Sequence, residues 1–159
     1  MIDINHVHPM VVHFPIVLFL TAVAVEAIVL VRGGDLAARQ CLPGLALAAL
    51  VLGAVAAMVA ASFGDIALDA AADKGFPKNP LEEHADLGMT TVVFFGALAL
   101  VQITAWWRRI PLAGGRGWIV FAVGVVGIAI LLDTAYHGGE LVYHYGVNVD
   151  AVKHPAQSP

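Results

Sequence analysis

Charge is scarce in this chain. Of its 159 residues only 13% are Asp, Glu, Lys or Arg and 60% are hydrophobic, with a mean hydropathy of +0.84. Soluble domains carry about 25% charged residues, so there is too little polar surface here to solvate a free-standing globule. Cysteine is nearly absent: a lone Cys41 excludes an internal disulfide, and without Cys-x-x-Cys-His no haem can be attached covalently. The basic residues form no cluster interleaved with aromatics and the net charge is −4, so nucleic acid is not expected as a partner. Gly-x-Ser-x-Gly, a phosphate-cradling glycine loop and His-Glu-x-x-His are all missing, which leaves independent catalytic activity without its parts.

What is present is long apolar runs. Four blocks, 10–31, 42–63, 85–107 and 117–136, are continuous stretches of Ala, Val, Leu and Ile. At 1.5 Å per residue each covers the roughly 30 Å hydrocarbon layer, and none shows the alternation of a barrel strand. The expected fold is all-α, a four-helix transmembrane bundle in one domain over 1–152, with a disordered tail at 153–159. Met1 to Pro9 holds no Lys or Arg, so the first span reads as a retained helix rather than a cleaved signal. Arg32, Arg39, Arg108, Arg109 and Arg116 all fall at one end of the bundle, while Lys74, Lys78 and Lys153 fall at the other. By the positive-inside rule the arginine end is cytoplasmic, so both termini face outward into the periplasm of a bacterial inner membrane. The 65–83 connection reads as a lid with a short helix over Ile66 to Ala72. Small residues recur in the second span at Ala49, Gly53, Ala57 and Ala61, with a second row at Ala56, Ala60 and Gly64, marking a closely packed helix or a dimer seam. No internal repeat is apparent.

All seven histidines map to the outward side, with ten of the twelve acidic residues. His13, one turn into a span that opens His8-Pro9, and His84, at the start of the third span, are expected at equal depth. Gly88, one turn below His84, leaves room for a flat ligand. Two imidazoles on separate helices are the axial set of a bis-histidine haem b, with His8, His137 and His144 as further cofactor candidates. The same layer offers an alternative donor set for copper or zinc, in a store or a transporter mouth: His13, His84, His137, Asp133, Glu140 and Asp65. Asp133 and His137 are i, i+4, which suits a carboxylate orienting an imidazole. The Gly138-Gly139 pair either breaks the fourth helix or admits a close neighbour. An imidazole at the headgroup level is also easily explained as a solvated hydrogen-bonding residue. In the inner half, Glu26 is expected to pair with Arg108 or Arg109, with Gln102 and Thr104 completing the cluster.

The segment His8-Pro9-Met10-Val11-Val12-His13-Phe14-Pro15-Ile16, and Gly138-Gly139-Glu140-Leu141-Val142-Tyr143 with Gly146-Val147, resemble the bacterial membrane family called domain of unknown function 2231. The four-span layout agrees, and the resemblance covers nearly the whole chain. Members of that family occur joined to cytochrome c-like or Rieske-like domains, which implies redox company. The positions that match are His8, Pro9, His13, Pro15, Gly138, Gly139, Glu140 and Tyr143, whereas His137 and His144 fall at positions expected to vary. The expectation is a b-type haem protein in the lipid bilayer, exchanging electrons with a periplasmic cytochrome or with quinol. A structural subunit of a larger membrane complex, or a homodimer, is the remaining reading.

Overall fold

The computed structural model describes residues 7–149. Five helices account for nearly all of them: α1 Val7–Val11, α2 His13–Val31, α3 Cys41–Asp73, α4 Lys78–Arg108 and α5 Gly114–Tyr143. Among the described residues there is no strand, only an isolated bridge between Asp35 and Ala113. The first two helices follow one axis, and Val7–Val31 is one of four segments long and apolar enough to cross a membrane. A turn at Val12 separates them, just where Pro15 withholds the N–H that Val11 would have accepted. The disordered tail expected at 153–159 lies outside the described residues.

The spans outrun the apolar blocks. α3 has 33 residues, about 50 Å of helix against about 30 Å of hydrocarbon. The expected 65–83 lid is therefore not a loop: α3 continues to Asp73, α4 begins at Lys78, and the turn between them holds Gly75 at φ 85°. The reason is amphipathicity beyond the membrane. Asp65, Asp69 and Asp73 face water while Ala67 and Ala71 are buried, so the helix keeps an apolar stripe after its hydropathy has fallen. Ala71, Leu81, Leu141 and Val147 close a small core over the end opposite the arginines, with Phe76 and Tyr145 packed on it. Likewise α5 does not break at Gly138-Gly139 but runs on to Tyr143.

α2 packs against α3 and α5, and α4 packs against the same two helices, so the four spans form a ring with α1 laid on α3. The stripe on α3 is the seam with α2: Ala49, Gly53 and Ala57 are buried, and a Cβ on Gly53 would stand 2.7 Å from the Phe19 ring. Across the middle of the ring, α2 and α4 meet through large side chains. Phe19 and Phe95, both 0% exposed, stack with centroids 3.8 Å apart and planes 8° from parallel. Around them gather Ala22, Ala49, Leu50, Ala57, Leu98 and Leu131. The opposite surface, including Val17, Leu52, Leu100 and Ile119, is exposed and apolar, as lipid requires.

At the arginine end the two short connections are tied together. Asp35 Oδ1 accepts from the N–H of Ala37 at 2.9 Å and from that of Leu112 at 2.8 Å. Arg39 lies 4.8 Å over the ring of Trp106. Glu26, 1% exposed, departs from expectation: Gln102 Nε2 donates to its Oε1 at 2.6 Å, and Oε2 is buried without a hydrogen bond. Neither Arg108 nor Arg109 reaches it, because both are exposed at the end of α4, more than a turn beyond Gln102. Thr104 is spent on its own helix, donating to Leu100 O at 2.7 Å.

Candidate functional site

The end of the bundle opposite the arginines brings together His8 and His84. Their ring centroids lie 6.1 Å apart with planes at 79°, and both residues are half-buried. His8 comes from α1, where Nδ1 sits 2.8 Å from the carbonyl oxygen of Ala60 on α3. That contact, made with Nδ1 as donor, leaves Nε2 as the free nitrogen. His84 comes from the second turn of α4. The carbonyl of Thr134 on α5 faces its ring, and its Nδ1 is buried with no hydrogen bond. A buried polar atom left so costs about 1–3 kcal/mol.

Two glycines make room for these rings. A Cβ on Gly64 of α3 would lie 3.1 Å from Cε1 of His8, and one on Gly138 of α5 would lie 2.8 Å from Cε1 of His84. Neither site admits a side chain without displacing an imidazole. One turn below, Thr91 and Thr134 share a hydrogen bond of 2.9 Å, and Thr134 also donates to Leu87 O at 3.2 Å, pinning α5 to α4 beside His84.

The remaining candidates are placed differently. His13 is exposed at the start of α2, so the pairing of His13 with His84 gives way to that of His8 with His84. Helical spacing explains it: Val12 keeps helical backbone angles, and five residues along one helical path turn His13 about 140° from the face that carries His8. Gly88 has nothing within 4 Å of an added Cβ, so the space beside it is open, while the close approach of a ring falls at Gly138. His137 is on α5, its Nδ1 2.9 Å from Asp133 O and 3.5 Å from the Asp133 carboxylate, while Nε2 is 3.5 Å from Glu83. The i, i+4 pairing of Asp133 with His137 is present. It borders an open groove with Glu82, Asp86 and Thr90. His144 lies past the end of α5, exposed, its ring against Tyr145 at 4.7 Å. Asp65 is exposed on α3 and Glu140 half-buried on α5.

Among the described residues no three His, Cys, Asp or Glu side chains gather to hold a metal ion. The set His13, His84, His137, Asp133, Glu140 and Asp65 is therefore spread over four helices rather than assembled. At Gly138 the second of the two expectations for the Gly138-Gly139 pair holds, a close neighbour rather than a break, whereas the role of Gly64 was concealed. Both were visible as small residues in an outer turn, but their partners lie on other helices.

The architecture is that of a multi-pass membrane protein, four spans around a paired-imidazole end. The family model for a predicted membrane protein (DUF2231) matches residues 5–151, and the chain belongs to that family. No curated protein matches the chain, and no solved structure does.

Proposed function

We propose that this is a b-type haem-binding protein of the bacterial inner membrane, with His8 and His84 as the axial ligands and the arginine end toward the cytoplasm. The observation that carries it is the pair itself: two imidazoles from different helices, 6.1 Å apart, set in a cradle of two glycines, one with a buried nitrogen that has no partner. Two imidazoles sharing one centre require two metal–nitrogen bonds of about 2.0–2.1 Å plus the distance from each nitrogen to its ring centre, which accords with that separation. The count of donors supports haem over a bare ion. A structural zinc or copper ion draws three or four ligands from the protein, whereas a porphyrin fills four positions and leaves two for side chains.

Haem supplies a one-electron couple when bound. The chain's contribution is the ligand set and an outer position open to a periplasmic cytochrome or to quinol. No histidine lies in the inner half, so electron exchange belongs to the outer face rather than to a path across the bilayer. Expression with haem supplied, followed by detergent purification, an absorption spectrum, a pyridine haemochrome assay and metal analysis, tests the reading. The expected result is one low-spin haem per chain. A colourless protein carrying stoichiometric copper or zinc would replace haem with a metal site, and a colourless protein without metal would leave a structural subunit.

A further inference from the structure

The contacts across the ring obey one arithmetic. His8 meets His84, Phe19 stacks on Phe95 and Glu26 bonds to Gln102; in each pair the second residue is 76 positions after the first. The supporting helices repeat with an offset of 74. Gly53 underlies Phe19 and Gly127 underlies Phe95, while Gly64 underlies His8 and Gly138 underlies His84. The carbonyl on the His8 ring is that of Ala60 and the one facing His84 is that of Thr134, again 74 apart.

Helix ends follow suit. α2 is followed by Gly33 at φ 72° and α4 by Arg109 at φ 56°, 76 positions on. The capping bonds are Gly34 N–H to Val29 O and Ile110 N–H to Ala105 O, each 2.9 Å. Positive φ is ordinary for Gly33 but uncommon for a residue such as Arg109, so Arg109 holding it at the equivalent position is informative. The ring of neighbours is also unchanged when α2 is exchanged with α4 and α3 with α5.

We infer that the chain is two tandem copies of one two-helix unit, related by a pseudo-twofold axis along the bundle, and that this axis is the ligand site, each copy presenting one equivalent histidine. Residues that touch their own counterparts must lie on the axis, which is why these pairs stack as three rungs through the middle of the molecule. Copies that enter the membrane in the same direction are related by an axis along its normal. The copies have diverged where Pro15 and Ala60 in one correspond to Thr91 and Thr134 in the other, and where the inner connection is two residues shorter. No repeat shows in the sequence because small apolar residues at lipid-facing positions exchange freely, leaving mainly the rungs and glycines in common. The equivalence of the two histidines as ligands rests on the haem reading above, whereas the duplication does not.

Two measurements separate them. The first needs no cofactor: Q102E alone sets two carboxylates on the axis, while E26Q/Q102E exchanges the pair between copies. The single variant should lose about 5–10 °C in Tm and the exchanged pair should recover most of it. An exchanged pair as unstable as Q102E overturns the axis. The second compares H8A, H84A and H13A by spectrum and haem titration, with H8Q and H84Q beside them in case an alanine variant fails to fold. H8A and H84A should each lose the low-spin spectrum and at least tenfold in affinity, to a similar extent, with H13A unchanged. Haem retained in H8A or H84A, or lost in H13A, overturns the ligand assignment. A native protein that takes up no haem defeats the functional reading and leaves the exchange of Glu26 and Gln102 to decide the duplication.

Discussion

A methyl group added at Gly138 would stand 2.8 Å from Cε1 of His84, closer than real side chains approach. G138A must therefore move the imidazole or separate α4 from α5, and a loss of about 1–3 kcal/mol is expected for overpacking of this kind. G88A, one turn from His84 on the same helix but with nothing within 4 Å of its Cβ, should lie within about 0.5 kcal/mol of the parent. Thermal denaturation in detergent distinguishes them, and equal losses would show that the cradle is not where the glycine contacts place it. The contrast also shows what a residue-by-residue reading can reach. His84 was legible because a lone imidazole opening an apolar block stands out, and His8 because it sits in a distinctive Pro-containing motif. Their pairing was not, because His8 and His13 lie about 140° apart around a helix and which of them faces inward is set by helix rotation. Glu26 was legible as an anomaly in the bilayer, but the amide that satisfies it is chosen by helix rotation, which hydropathy does not encode.

Among the elements, the seam between α2 and α3 depends on the ring of Phe19 lying on bare backbone at Gly53. G53A should destabilise the bundle by about 1–3 kcal/mol, and G127A, whose Cβ would meet Phe94 and Phe95 at 2.8 Å, should do the same on the other side. G44A, at an open position in the first turn of α3, should be neutral or stabilising by about 0.5–1 kcal/mol. Chemical or thermal unfolding of the three variants is sufficient, and a destabilised G44A would point to propensity rather than packing. The inner connections offer a second test: D35A removes the acceptor for two N–H groups and should cost about 1–3 kcal/mol, with D35N recovering part of it. The small-residue rows on α3 were readable in the sequence, since four-residue spacing on a helix means one face. The extension of α3 and α4 past the membrane was not, because a window of hydropathy ends where lipid ends, while backbone hydrogen bonding and the stripe of Ala67 and Ala71 carry the helix further.

For the whole molecule, four spans follow directly from the apolar blocks, and their ring arrangement is the step that needed coordinates. Orientation has a built-in reporter. Cys41 is exposed and opens α3 at the arginine end, so a membrane-impermeant maleimide should label it in inverted vesicles and leave it unmodified in intact spheroplasts. Labelling from outside the cell would reverse the proposed topology. The duplication has a consequence for how such a protein enters the bilayer. Each copy carries its own arginines after its first span, Arg32 and Arg39 in one, Arg108, Arg109 and Arg116 in the other, and a unit with an even number of spans returns the chain to the side it started from. The instruction for which way to insert is thus written twice, once per hairpin, so erasing it in either copy leaves the other to keep the protein the right way up.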